Sequence, residues 1–200
     1  MTAVLQVTDL ACQRGARLLF DGVAFALARG QALVVTGPNG TGKSSLLRIL
    51  AGLLEEADGE VMHDAEMLYL GHLDGLKPQL GVRDNLMFWV QMFGDAAALA
   101  KIDGALKRFG LLAIADLPGG VLSAGQRRRL ALARFACFVG GKSARPIWLM
   151  DEPDAALDDA GRAALDVLLA DHLGAGGVLV AATHRGLGIE AQSLRLGPAS

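Results

Sequence analysis

The sequence predicts an α/β fold: a nucleotide-binding core with an N-terminal antiparallel β subdomain and an inserted α-helical lobe. Three observations predict it. An apolar run over residues 31–36 enters a glycine-rich loop and is followed by a helical pattern over 44–51, the strand, loop and helix that open a βαβ unit. Two continuous apolar runs, 147–150 and Val178–Ala182, have the composition of strands covered on both faces. Between these parts, residues from about 82 to 139 change to helical periodicity with few β-branched runs.

Each element follows in order. Residues 4–10 and 23–27 alternate apolar and polar side chains and read as strands, with Arg29-Gly30-Gln31 as a turn before the next one. Residues 60–61 and Met67–Leu70 read as further strands, and 85–93, 95–109 and 124–138 as the helices of the insertion. Alternation then resumes, with a helix over 159–173 between the two buried strands. The division expected is a core of residues 1–72 and 143–200 and a helical lobe of about 73–142. No internal repeat or low-complexity segment interrupts this pattern.

Composition excludes several classes. A chain of 200 residues can bury a core without disulfides or metals. Apolar residues make up 52%, yet nowhere do they approach the ~20 in a row that a spanning helix needs. Met1-Thr2-Ala3-Val4-Leu5-Gln6 lacks the basic stretch and hydrophobic run of a secretory signal. A net charge of −2, with the signs mixed, gives no reason to expect nucleic acid as a partner. Cys12 and Cys137 lie far apart and outside any metal or haem-attachment spacing, so both are expected reduced and structural, which suits the cytosol.

Gly37-Pro38-Asn39-Gly40-Thr41-Gly42-Lys43-Ser44 fits the phosphate loop G-x-x-x-x-G-K-[ST]. Its glycines let successive N–H groups curl inward toward phosphate oxygens, and the following helix presents its positive end there. Lys43 is expected on the β- and γ-phosphates, the Ser44 hydroxyl on Mg²⁺, and Ser45 among the nucleotide contacts. Ile147-Trp148-Leu149-Met150-Asp151-Glu152 supplies the acidic partners. The buried strand carries Asp151 to its carboxyl end, where it can hold the magnesium shell. Glu152, one residue on, is placed to act as general base on the attacking water. To this point a small kinase or a GTPase remains open.

Leu122-Ser123-Ala124-Gly125-Gln126 narrows the choice. Here the chain resembles the ABC ATPases, whose signature usually reads Leu-Ser-Gly-Gly-Gln; Ala124 departs from the commoner glycine. The resemblance implies a P-loop NTPase core working as a homodimer. Ser123, Gly125 and Gln126 would contact ATP held by the other subunit, and the residues opening the helix, with Ser123 as an ordinary N-cap, would serve both purposes. It also assigns Ala156-Leu157-Asp158 to the loop crossing the dimer interface and His184 to the γ-phosphate contact. Two positions depart from the family. The aromatic residue that stacks on adenine is replaced near Arg14-Gly15, where the Arg14 guanidinium plane can stack instead. The glutamine after the strand at Met67–Leu70 is replaced in Tyr69-Leu70-Gly71-His72, so His72 is the residue expected to reach metal and water.

That second departure, with Gly75-Leu76-Lys77, Asn85-Leu86 and Leu46-Leu47-Arg48-Ile49-Leu50, resembles the haem-exporter ATPase subunits of cytochrome c maturation over almost the whole chain. The resemblance implies a peripheral protein on the cytoplasmic face of a bacterial inner membrane, pairing with integral permease subunits and using ATP and Mg²⁺. His63, His72, His172 and His184 are scattered, so direct haem binding is not expected. An ATPase subunit of another transporter, a soluble ABC ATPase acting on DNA or ribosomes, and a phosphoryl-transferring kinase are the alternatives.

Overall fold

The computed structural model describes residues 3–93, 96–140 and 147–197. Along the chain come β1 (Leu5–Arg14), β2 (Arg17–Leu27), β3 (Ala32–Thr36), α1 (Lys43–Leu50), β4 (Asp58–His63) and β5 (Met67–Leu70). Then follow α2 (Val82–Met92), α3 (Ala96–Leu99), α4 (Ile102–Arg108), α5 (Ala124–Ala136), β6 (Ile147–Asp151), α6 (Asp159–Gly174), β7 (Val178–Ala182) and β8 (Gln192–Arg195). The antiparallel sheet has the order β2-β1-β4, and a five-stranded sheet has the order β5-β6-β7-β3-β8, parallel at every pair.

The strands of the parallel sheet are the molecule's divide. On β6, Ile147 and Leu149 pack with β1, β2 and α1, while Trp148 and Met150 pack with α2, α4, α5 and α6. On β7, Val178, Val180 and Ala182 join the first cluster, and Leu179 and Ala181 the second. Both faces of these strands are covered, which is why they read as unbroken apolar runs rather than alternating ones. Trp148 is fully buried. It stacks on His172 of α6 at 3.6 Å and 5°, and meets Phe135 of α5 edge-on at 5.1 Å. Burial pulls His172 down to about 4, against its ring hydrogen bond to the Val178 carbonyl.

Several elements depart from the sequence reading. The helix expected over 95–109 is two, α3 and α4, and its predicted start at Asp95 lies outside the described residues. The chain turns at Lys101, whose N–H bonds the Ala98 carbonyl and whose ammonium reaches the Val139 carbonyl. The turn lets Ala98, Ile102 and Leu106 all be buried in the lobe. The strands expected over 4–10, 23–27 and 60–61 run on to Leu5–Arg14, Arg17–Leu27 and Asp58–His63. β1 shifts register after Val7, at Asp9 with its φ of 52°, so simple alternation breaks while pairing continues. β8 has no counterpart in the sequence reading. The boundary expected at 142/143 lies outside the described residues.

Asn85 fastens the start of the helical lobe. It is 1% exposed. Its carbonyl accepts from the Lys77 N–H, and its amide donates to the Lys77, Leu80 and Gly81 carbonyls at 2.9–3.1 Å. That bonding fixes the segment leading from His72 into α2. Among the described residues no helix is long and apolar enough to cross a membrane, and both cysteines are free and buried.

Candidate active site

β3 ends at Thr36, and the loop from Gly37 to Gly42 turns the chain into α1. Gly37 has a φ of 142°, and a Cβ there would lie 2.3 Å from the Leu196 carbonyl oxygen. Only glycine lets the loop pass β8 this closely. The loop is braced from within: the Thr41 hydroxyl donates to the Pro38 carbonyl at 2.9 Å. The Lys43 ammonium donates to the Gly37 and Pro38 carbonyls at 2.8 and 3.1 Å. Lys43 is 8% exposed, so its charge is held inside the loop at the helix's positive end. Gly42 caps α1 without a side-chain bond, leaving the first turn's amides to a ligand.

An open cleft of about 750 Å³ joins this loop to the carboxyl ends of β6 and β7. Asn39, Gly40, Gly42, Lys43, Ser44 and Ser45 line it on one side, and His72, Asp151, Glu152 and His184 on the other. Its remaining wall holds Arg14, Arg17, Leu19 and Arg48. Arg14, at the end of β1, lies at the edge of the cleft.

Asp151 is buried at the end of β6. Glu152 follows with a φ of 47°, a left-handed conformation that costs a non-glycine residue roughly 1–3 kcal/mol and persists only where neighbours enforce it. Here its N–H donates to the Ala182 carbonyl at 2.8 Å, and its own carbonyl accepts from the Ala155 N–H at 3.0 Å. The resulting turn lifts the carboxylate to 3.3 Å from His184 Nε2. His184 is seated by Thr183, a residue the sequence reading missed. Thr183 is fully buried; its hydroxyl donates to Asp154 at 3.1 Å and accepts from the Arg185 N–H. The only sequence signal was the Thr-His pair closing an apolar strand.

Ser123, Gly125 and Gln126 do not line this cleft. They open α5 as a complete capping box. The Ser123 hydroxyl accepts from the Gln126 N–H at 3.2 Å, and the Gln126 side chain accepts from the Ser123 N–H at 2.9 Å. The expected N-cap is therefore present. Ala124 is exposed, so its methyl is accommodated. A Cβ on Gly125 would lie 2.9 Å from the Ala156 carbonyl, which packs this turn directly against the Ala156-Leu157-Asp158 loop. Arg129 closes the contact by pairing with Asp158. The Gly161 N–H and then Arg129 hold the Asp158 carboxyl below its ordinary range.

Arg128 points the other way, into the protein, and is 4% exposed. Nearby, Arg134 donates to the Tyr69 carbonyl and lies over the Trp89 ring at 4.4 Å. Burial brings Arg134 down to about 10, Asp74 opposing and Arg128 assisting.

Comparison with known proteins agrees with this geometry. Residues 20–155 match the ABC transporter family. The chain is 46% identical over 200 residues to the cytochrome c biogenesis ATP-binding export protein CcmA of Rhodopseudomonas palustris (strain BisB5), covering 96% of each. It is 47% identical over 205 residues to the protein of the same name from Nitrobacter winogradskyi, covering 98% of this chain and 99% of that one. Among solved structures, an ATP-binding subunit of an ABC transporter superposes with a TM-score of 0.80 at 21% identity, over 90% of this chain and 79% of that one; at that identity it speaks for the fold. A match over most of the sequence, on a fold that gathers Lys43, Asp151 and Glu152 around one cleft, makes this chain a member of the ABC transporter family and one of its ATP-binding, ATP-hydrolysing subunits.

Proposed function

We propose that the chain drives an export step of cytochrome c biogenesis, and that haem handling is the work it powers. One observation carries the branch: the 46–47% identity, nearly end to end, with export proteins of that process. The meeting of Lys43, Ser44, Asp151, Glu152 and His184 in one cleft supports the chemistry.

In this reading two copies face each other, and ATP lies between the phosphate loop of one and the Ser123–Gln126 turn of the other. The separation of the two segments within one chain favours that arrangement. Lys43 exchanges the Gly37 and Pro38 carbonyls for β- and γ-phosphate oxygens. Ser44 and Asp151 are hard oxygen donors lining the same cleft, a set that suits Mg²⁺. They would hold the ion, which supplies charge neutralisation on the phosphate oxygens. Glu152 takes the proton of the attacking water. His184 orients that carboxylate and contacts the γ-phosphate, and His72 reaches the water from the loop after β5. Repulsion between the separated products then reopens the pair.

The catalytic core comprises residues 1–72 and 143–200, and the lobe about 73–142 moves against it. The chain works at the cytoplasmic face of a bacterial inner membrane, bound to the integral subunits of the same system. The test is affinity purification of the tagged chain from detergent-solubilised membranes of its host. Recovery of integral cytochrome c biogenesis proteins is the expected result. Recovery of an unrelated permease would keep the ATPase and discard haem handling.

A further inference from the structure

We infer that Arg128 is a positioning residue that couples the placement of α5 to the Glu152 carboxylate within a single chain. The inference rests on the general-base reading of Glu152. Three consecutive arginines follow the first turn of α5, and their bonds separate them. Arg127 donates to the Leu122 carbonyl of its own cap at 2.6 Å, and Arg129 pairs with Asp158. Arg128 crosses to the parallel sheet. Its Nη1 donates to the Gly71 carbonyl at 3.1 Å and to Asp74 Oδ1 at 3.0 Å. Its Nη2 donates to the Asp151 carbonyl at 2.6 Å and to the Glu152 carbonyl at 2.5 Å.

These acceptors belong to the two segments the chemistry needs. Gly71 directly precedes His72, and Asp151 and Glu152 end β6. Three of the four are backbone carbonyls, whose positions are set by the path of the chain. A planar guanidinium fork spans such a set; a compact ammonium cannot hold all of them at once. The one charged partner, Asp74, also faces the buried Arg134, so a single carboxylate serves two arginines. The carbonyls of Asp151 and Glu152 are therefore part of what stabilises the Arg128 charge, and the bonding pulls in both directions.

Glu152 is where that pull matters. Its φ of 47° is held at one end by the Ala182 carbonyl and at the other by Arg128 and Ala155. A shift of α5 away from the sheet lengthens both Nη2 bonds together. Glu152 then relaxes toward ordinary backbone angles, and its carboxylate leaves His184. The helix that begins with Ser123 thus reports its position to the general base of its own subunit.

The test uses the full chain purified with its membrane partners, measuring kcat, KM for MgATP and melting temperature for Arg128→Met, Arg128→Lys, Asp74→Asn and Glu152→Gln. Misplacing a reacting group by about 1 Å costs on the order of 10²-fold, and that is the expected fall in kcat for Arg128→Met, with KM little changed; the acceptors left unpaired also lower the melting temperature. Arg128→Lys keeps the charge and the Asp74 pairing but not the fork, and should fall nearly as far. It carries the test alone if the methionine variant does not fold. Asp74→Asn, which spares the three carbonyl bonds, should lose much less. Parental kcat in Arg128→Lys while Glu152→Gln is inactive overturns the inference alone. So does Asp74→Asn falling as far as Arg128→Met, or a loss of stability and nucleotide affinity with kcat intact. Normal turnover by Glu152→Gln instead overturns the reading on which it rests.

Discussion

Two helices of this molecule open on segments suited to phosphate, and they are finished differently. α1 follows its N-cap Gly42 with no side chain capping its first-turn amides. α5 begins at Ser123 with a reciprocal capping box. The first is committed to an anion, because its amides have no side-chain partner in the fold and the lysine charge is already stored beside them. The second satisfies itself, and engages an anion only by trading the Ser123–Gln126 bonds for new ones. If two chains pair as proposed, this difference predicts that the phosphate loop binds nucleotide first and that the signature turn joins when the second chain brings a phosphate to it.

The strongest test of that comparison separates binding at the committed half from the chemistry that follows. Glu152→Gln removes the proton acceptor and leaves the phosphate loop untouched. Hydrolysis should fall by about 10²–10⁴-fold, as general-base removal does, while ATP binding persists and pairing of chains by ATP increases. Phosphate release and light scattering in ATP check both halves. Substantial turnover would remove Glu152 from its role.

A second experiment sharpens the division of labour. Lys43→Ala should abolish nucleotide binding by its own chain, and Gly125→Asp should leave binding intact but block the signature turn, where an added Cβ would lie 2.9 Å from the Ala156 carbonyl. Neither variant alone should hydrolyse ATP. Mixed pairs retain one composite site, from the Lys43 of one chain and the Gly125 of the other, and should recover part of the parental rate. No recovery on mixing would mean that ATP is not shared between chains.

The committed half was also the more legible in the sequence. Lys43, Asp151 and Glu152 stand in short contiguous motifs, and β6 and β7 announce themselves as apolar runs because both of their faces are covered. What escaped the sequence was set by tertiary contacts. β8 is four residues long, and its side chains are mostly exposed; its pairing with β3 is made by backbone alone. Nothing in Arg127-Arg128-Arg129 says that the middle residue turns inward, since that depends on where Gly71 and Asp151 lie in space. The break near Lys101 likewise follows from how the lobe buries Ala98 and Ile102, not from a local breaker.

β6 serves both halves, and its Trp148 leans on His172, so the two should lose stability together in acid. The folded pKa of His172 is lowered from 6.5 to about 4. Below pH 6.5 the unfolded chain takes up a proton that the folded chain refuses, so stability falls as pH drops toward 4 and levels off beneath it. The full loss is on the order of 3 kcal/mol. His172→Phe, which keeps a ring against Trp148, should flatten this slope in denaturant unfolding measured from pH 7 to 4. An unchanged slope would place the acid sensitivity elsewhere.

The smallest effect concerns the end of the cleft farthest from the reacting phosphate. Arg14, at the end of β1, lines the cleft with Arg17 and Leu19, where the family commonly has an aromatic residue. Stacking of a base on an aromatic ring is worth about 1–3 kcal/mol, but a guanidinium plane already supplies part of it. Arg14→Tyr should therefore gain only about 1 kcal/mol, or roughly fivefold in Kd for MgATP. Because every purine offers a π-face, MgGTP should tighten by a similar factor, and the ratio of the two affinities should hardly move. Competitive binding of both nucleotides to the parent and the variant measures this directly. A gain confined to ATP would mean that the edge of the base, not its face, is read at this turn; no gain for either would mean that the base lies away from Arg14.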